Sequence, residues 1–278
     1  MTDLRSTLAT TGPIDLSARA SDDTPDFHGK KKHARRLLPE IGARLMDSQE
    51  LLFANGRAGT SDRKVLILLQ GMDTSGKGGT LRHVAGLADP QGLKITAFKA
   101  PTEEERRHDF LWRIRPQLPE AGMIGVFDRS HYEDVLIARV RQLAPADEIE
   151  RRYDKINAFE KEFVDGGGVL LKCVLHISAD DQKERLAERL EDPTKYWKYN
   201  PRDLDERALW PQYQRAYEIA LERCSTEHAP WYVVPAGRKW YRNWAIATML
   251  GETLEELDLD WPPAKFDVEK EKRRLATM

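Results

Sequence analysis

Five consecutive apolar residues, Val65-Leu66-Ile67-Leu68-Leu69, run into Gly71-Met72-Asp73-Thr74-Ser75-Gly76-Lys77-Gly78-Gly79-Thr80. A strand that is apolar at every position must be covered on both faces, which points to a sheet between helices. The residues after the glycines, Leu81 to Leu87, read as a helix. Strand, glycine-rich turn and helix are the context of a phosphate-binding loop: Gly71, Gly76, Gly78 and Gly79 admit a phosphate close to the backbone, and N–H groups at the helix start face the anion. Lys77 adds a point charge. The spacing fits G-x-x-x-x-G-K, but Gly78 stands where the Mg²⁺-holding Ser or Thr is usual, so Asp73 and Thr80 are the nearby candidates for that duty. The alternative is a glycine-rich turn without chemistry.

The rest of the chain repeats the alternation. Leu93 to Phe98, Met123 to Phe127, Val169 to Ile177 and Trp231 to Val234 read as further strands. Helices are expected from Leu37 to Asn55-Gly56, from Thr102 with a capping-box-like start, over 134–142 and 147–165, from Ser178 to Glu191 with Ser178 as N-cap, from Leu204 to Cys224, and from Trp240 to Leu257. The expected fold class is α/β, a parallel sheet flanked by helices, with ligands at the C-terminal strand ends. Residues 1–28 read as an N-terminal arm, mobile or loosely docked up to residue 26; 29–262 as the domain that carries the phosphate loop, and 263–278 as a charged surface tail. No N-terminal apolar core and no 18-residue apolar run is present, so a cytoplasmic protein without membrane contact is expected. Net charge is −2, from 44 basic and 46 acidic residues, so nucleic-acid binding is not implied and any polyanion must meet a local basic patch. Cys173 and Cys224 form no framework.

Asp128 ends an apolar strand, the position of a metal-holding Walker-B carboxylate, and Asp73 and Asp128 come together if their strands are neighbours. Arg129 either forks onto phosphate or forms a salt bridge. Glu133 and Asp134 either cap the next helix or face the phosphate site. Arg185 and Arg189 share a helix face, and Lys195, Lys198 and Arg202 follow in a stretch that reads as a lid over a phosphate-rich ligand, about 183–207. Charges over that stretch balance, seven against seven, so an ordinary salt-bridged surface is the competing reading. Tyr196, Trp197 and Tyr199 either stack on a base or pack in the core. Lys30, Lys31, Lys32, Arg35 and Arg36 are either a solvated helix end or a polyanion contact.

In this order the motifs resemble the family-2 polyphosphate kinases: the glycine loop, Phe127-Asp128-Arg129-Ser130-His131-Tyr132-Glu133-Asp134, Trp197-Lys198, Ala229-Pro230-Trp231-Tyr232-Val233-Val234-Pro235-Ala236 and Lys239-Trp240-Tyr241-Arg242-Asn243-Trp244. The similarity spans about residues 29–257. It implies a three-layer P-loop kinase-like fold with a helical lid. It implies reversible phosphate transfer between inorganic polyphosphate and nucleotides with Mg²⁺ or Mn²⁺. Asp73 and Asp128 then correspond to the paired metal and acceptor-positioning aspartates, and Lys77 and Arg129 to the phosphate-binding cations. Glu133 resembles the subgroup that takes AMP as well as ADP, although Asp128 stands where that subgroup commonly has Asn. A homo-oligomer, dimer or tetramer, is expected. The competing functions are an ATP-dependent nucleoside monophosphate kinase and a nucleotide-binding switch protein without useful transfer.

Overall fold

The computed structural model describes residues 3–278. Six strands, β1 (Ala9–Thr10), β2 (Lys64–Gln70), β3 (Leu93–Ala97), β4 (Ile124–Asp128), β5 (Gly168–His176) and β6 (Trp231–Pro235), form one sheet in the order β1-β6-β5-β2-β4-β3. All pairings are parallel except that of β1 with β6. The helices are α1 (Leu4–Leu8), α2 (Lys31–Ala58), α3 (Lys77–His83), α4 (Ile137–Val140), α5 (Ala146–Asp165), α6 (Ala179–Glu191), α7 (Arg202–Arg207), α8 (Trp210–Cys224), α9 (Lys239–Glu255) and α10 (Val268–Leu275). Helices α2, α3 and α9 pack together on the sheet, and α4, α5 and α8 form a second group. The apolar run of β2 lies between β5 and β4 with Val65 to Leu69 all buried, as a central parallel strand requires. Its register pairs Leu69 with Asp128, so the phosphate loop and the end of β4 leave the sheet side by side. No helix among the described residues is long and apolar enough to cross a membrane.

The five expected strands are present, and four sequence expectations need correction. Residues 3–27 are not a mobile or loosely docked arm. Leu4, Leu8, Leu16 and Phe27 are core residues, and β1 pairs with β6. These apolar residues each fill a separate gap, which leaves no period to read. The helix expected from Thr102 is absent; Glu105–Arg107 and Arg115–Gln117 are 3-10 turns. Both capping-box bonds form between Thr102 and Glu105, at 2.7 and 3.2 Å. One capped turn does not sustain a helix, and the Arg113 guanidinium instead folds back onto the Lys99 carbonyl at 2.8 Å. The helix expected over 134–142 shrinks to α4. The helix expected from Leu204 to Cys224 is split into α7 and α8, because Pro211 at the start of α8 cannot continue an earlier helix.

Candidate active site

The phosphate loop is held from behind by side chains distant in sequence. Tyr217 Oη accepts from Gly71 N at 3.1 Å, and Gln182 Nε2 donates to the Asp73 carbonyl at 3.1 Å. Arg185 Nη1 donates to the carbonyls of Thr74 and Ser75 at 2.9 and 3.3 Å, and its Nη2 to those of Ala236 and Gly237 at 2.6 and 2.9 Å. Arg242 Nη1 reaches the Ser75 carbonyl at 3.2 Å. Gly76 is required here twice over. Its φ is +107°, and a Cβ would lie 1.6 Å from Arg242 Nη1. Burial beside Arg185 pushes the Arg242 guanidinium down to about 10.

Lys77 Nζ donates to the Gly71 carbonyl at 2.7 Å. Burial pushes its ammonium down, against Asp73, Asp128 and Glu133, which hold it up. Arg129 has a left-handed backbone, φ +65°, and donates from Nη2 to Asp73 Oδ1 at 3.1 Å. Burial works against its charge, but Glu133 and Asp73 outweigh it and raise the guanidinium. Burial raises Glu133, against Arg129 and Lys77.

Two cavities share the loop, and a third lies beside them. One of about 620 Å³ is lined by Asp73, Lys77, Asp128, the loop glycines Gly76, Gly78 and Gly79, and by Arg185, Arg189, Lys195, Trp197 and Lys198 from the 183–207 stretch. A second, about 580 Å³, shares Gly79, His83, Lys239 and Arg242 with it and adds Lys31, Arg35 and Arg238 without any carboxylate. A third, also about 580 Å³, lies beyond Arg129 and Glu133 and is lined by Phe98, Phe110, Arg106, Arg113, Asp134 and Arg152. Arg129 thus touches Asp73 of the first cavity and lines the third.

Most of the residues singled out in the sequence converge here, with exceptions. The Thr80 hydroxyl is buried, donates to the Gly76 carbonyl at 3.3 Å and does not line the cavity, so it is not placed to replace the missing hydroxyl. Gly78 itself is exposed, with open space where a side chain would be. Asp134 faces Arg113 and Arg152, at 3.6 and 3.7 Å, rather than the loop. Arg185 has its guanidinium on four carbonyls. Arg189 bonds the Lys198 carbonyl and Asp203, at 2.9 and 3.3 Å, and Lys195 pairs with Asp192 at 3.1 Å. Arg202 is exposed outside the cavity. Trp197 is 79% exposed with Lys198 4.9 Å from its ring centroid, so it is no core residue. Of the basic cluster, Lys31 and Arg35 line the second cavity; Lys30, Lys32 and Arg36 are exposed. Sequence reasoning missed Gln182 and Tyr217, which meet the loop from far along the chain and carry no local pattern. Arg242 was legible only as part of the motif Lys239-Trp240-Tyr241-Arg242-Asn243-Trp244.

Two carboxylates fit a hard divalent cation that takes its remaining oxygens from phosphates and water. Among the described residues no group of three or more His, Cys, Asp or Glu forms a self-sufficient metal cage.

The model of the polyphosphate kinase 2 family matches residues 34–260. The chain is similar to an AMP/ADP-polyphosphate phosphotransferase of Meiothermus ruber, 45% identical over 259 residues, 93% of this chain and 95% of that one. It is also similar to an ADP-polyphosphate phosphotransferase of Rhodopseudomonas palustris, 39% identical over 85% of this chain and 84% of that one. Among solved structures, a polyphosphate kinase 2 from Arthrobacter aurescens superposes with a TM-score of 0.97 at 49% identity, over 100% of this chain and 98% of the other.

Proposed function

Because the chain belongs to the polyphosphate kinase 2 family, we propose that it transfers phosphate reversibly between inorganic polyphosphate and nucleotides, ADP to ATP and AMP to ADP. The observation that carries this reading is the extension of the loop cavity past Lys31, Arg35, Arg238, Lys239 and Arg242, lined by no carboxylate, with only Arg238 and Lys239 paired, to Asp22 and Glu188 outside it. A nucleotide donor does not need so long a run of cations; a chain polyanion does. The third cavity, with Phe98 and Phe110 beside four arginines, takes the acceptor nucleotide.

Asp73 and Asp128 would hold Mg²⁺, which would supply charge neutralisation and alignment at the phosphate oxygens. Lys77 and the N–H groups of Gly76 to Gly79 hold the terminal donor phosphates. Arg129, standing between the two cavities, meets the transferring group. An acceptor phosphate oxygen attacks the terminal phosphorus in line as the bond to the next polyphosphate oxygen breaks. The leaving group is already an anion, so no covalent protein intermediate and no general acid are needed; catalysis is positioning and charge neutralisation. The lid cations Arg189, Lys195 and Lys198 follow the ligand and exclude water. The test is ATP formation from ADP and polyphosphate with and without Mg²⁺; no ATP in either condition refutes the reading.

Two expectations follow from the cavities. AMP and polyphosphate, with no ATP added, should yield ADP; absence of ADP where ADP readily becomes ATP would remove AMP from the acceptor list. Raising salt should raise the KM for long polyphosphate much more than that for ADP, since a chain polyanion releases counterions from many phosphates on binding. Neutralising Lys31 and Arg35 together should flatten the polyphosphate slope and leave ADP alone. Equal slopes for both substrates would put the polyphosphate path elsewhere.

A further inference from the structure

Gln70 is the last residue of β2, and its side chain is wholly buried. Every residue from Val65 to Leu69 before it is apolar, and an apolar side chain would satisfy packing there as well. A buried amide is costly unless both its ends are bonded. In the orientation that satisfies both, the Gln70 nitrogen donates to Glu133 Oε1 at 3.0 Å, and its oxygen accepts from Ser130 N and Ser130 Oγ at 3.1 Å each. The amide therefore ties the end of β2 to the turn after β4 and grips one oxygen of Glu133.

We propose that Gln70 is a positioning residue that sets acceptor choice by fixing the Glu133 carboxylate in the wall of the acceptor cavity. This rests on the reading of that cavity as the nucleotide site. AMP brings one phosphate to the transfer point, so its ribose lies one phosphate unit closer than that of ADP. A carboxylate fixed there accepts from ribose hydroxyls and repels a second phosphate. Released from Gln70, Glu133 is free to turn toward Arg129, which lines the same cavity wall. It then no longer favours the shorter acceptor and draws on the charge meant for the transferring group.

The test measures kcat/KM for AMP and for ADP in Q70M, Q70N, E133Q and the double variant Q70M/E133Q, with thermal melting as the fold control. Losing a bond to a charged group corresponds to about a tenfold change, so the AMP-to-ADP ratio in Q70M and Q70N should fall by about tenfold. The same substitution in the E133Q background should leave the ratio unchanged, because Gln70 acts only through Glu133. A ratio shift in E133Q without one in the folded Gln70 variants overturns the proposal and keeps the acceptor site. A ratio unmoved in E133Q itself overturns the acceptor reading of Glu133. Equal losses with AMP and ADP, or loss of the folded state in both Gln70 variants, also overturn the proposal, since either result makes Gln70 a structural residue only.

Discussion

Asp73→Asn and Asp128→Ala should each lower turnover by at least about a hundredfold while leaving the fold intact, the scale of losing one essential electrostatic element. Both carboxylates line the loop cavity at the ends of adjacent strands. Each substitution removes a carboxylate charge, so the loss falls on divalent-metal binding and on alignment of the phosphates. The two variants should differ in one respect. Asp73 also accepts from Arg129 at 3.1 Å, so its replacement additionally loosens the guanidinium between donor and acceptor cavities. Asp128→Ala should therefore be partly rescued by raising Mg²⁺, and Asp73→Asn less so. Initial rates of ATP formation across a Mg²⁺ series decide this. Near wild-type turnover of either variant at saturating Mg²⁺ would remove that aspartate from the assigned role.

The strands were legible because apolar runs such as Val65 to Leu69 and Met123 to Phe127 have no other use in a charged chain. The phosphate loop was legible because glycine spacing and Lys77 report a backbone geometry. The pairing of Asp73 with Asp128 needed only that β2 and β4 be neighbours, and they are. The P-loop kinase-like fold follows from the same elements and is shared with the Arthrobacter structure. Arg185 marks the limit of such reading. In sequence, a guanidinium that meets carbonyls is indistinguishable from one that meets phosphate, since both appear as an arginine on a helix face. The balanced charges of 183–207 carried the same ambiguity, and the structure divides them: Arg189 and Lys195 are paired yet line the cavity, and Arg202 lies outside it. Thr80 does not serve as the missing hydroxyl because it is buried in its own helix and off the cavity lining. Tyr217, Gln182 and Gln70 act through long-range contacts that no local pattern records.

Lys172→Met should destabilise the protein by about 3–5 kcal/mol, the cost of leaving a buried charge without its partner. Lys172 is a lone cation within the apolar strand β5, fully buried. Its Nζ donates to Glu160 Oε2 at 2.5 Å, the Cys224 carbonyl at 2.7 Å and Tyr132 Oη at 3.1 Å. Glu160 Oε1 accepts from Tyr132 Oη at 2.8 Å and lies 3.2 Å from His131 Nε2. Burial alone would raise the Glu160 carboxyl, but Lys172 and His131 hold it below its ordinary value. In the parent, this carboxylate therefore contributes stability above its unfolded pKa, and the contribution is lost as pH falls through the lowered folded value. Without Lys172 the sign reverses. Burial then dominates, the folded pKa rises above the unfolded one, and the penalty shrinks as Glu160 takes up a proton. The stability gap between parent and variant should accordingly narrow between about pH 7 and about pH 5. Replacing both charges, as in K172M/E160L, should recover much of the loss, because a well-packed apolar pair often matches a buried ion pair. Urea unfolding at the two pH values, with comparable slopes in denaturant, supplies the comparison. A gap that does not change with pH, or a single variant as stable as the parent, would mean that Glu160 is not held charged by Lys172 in the core.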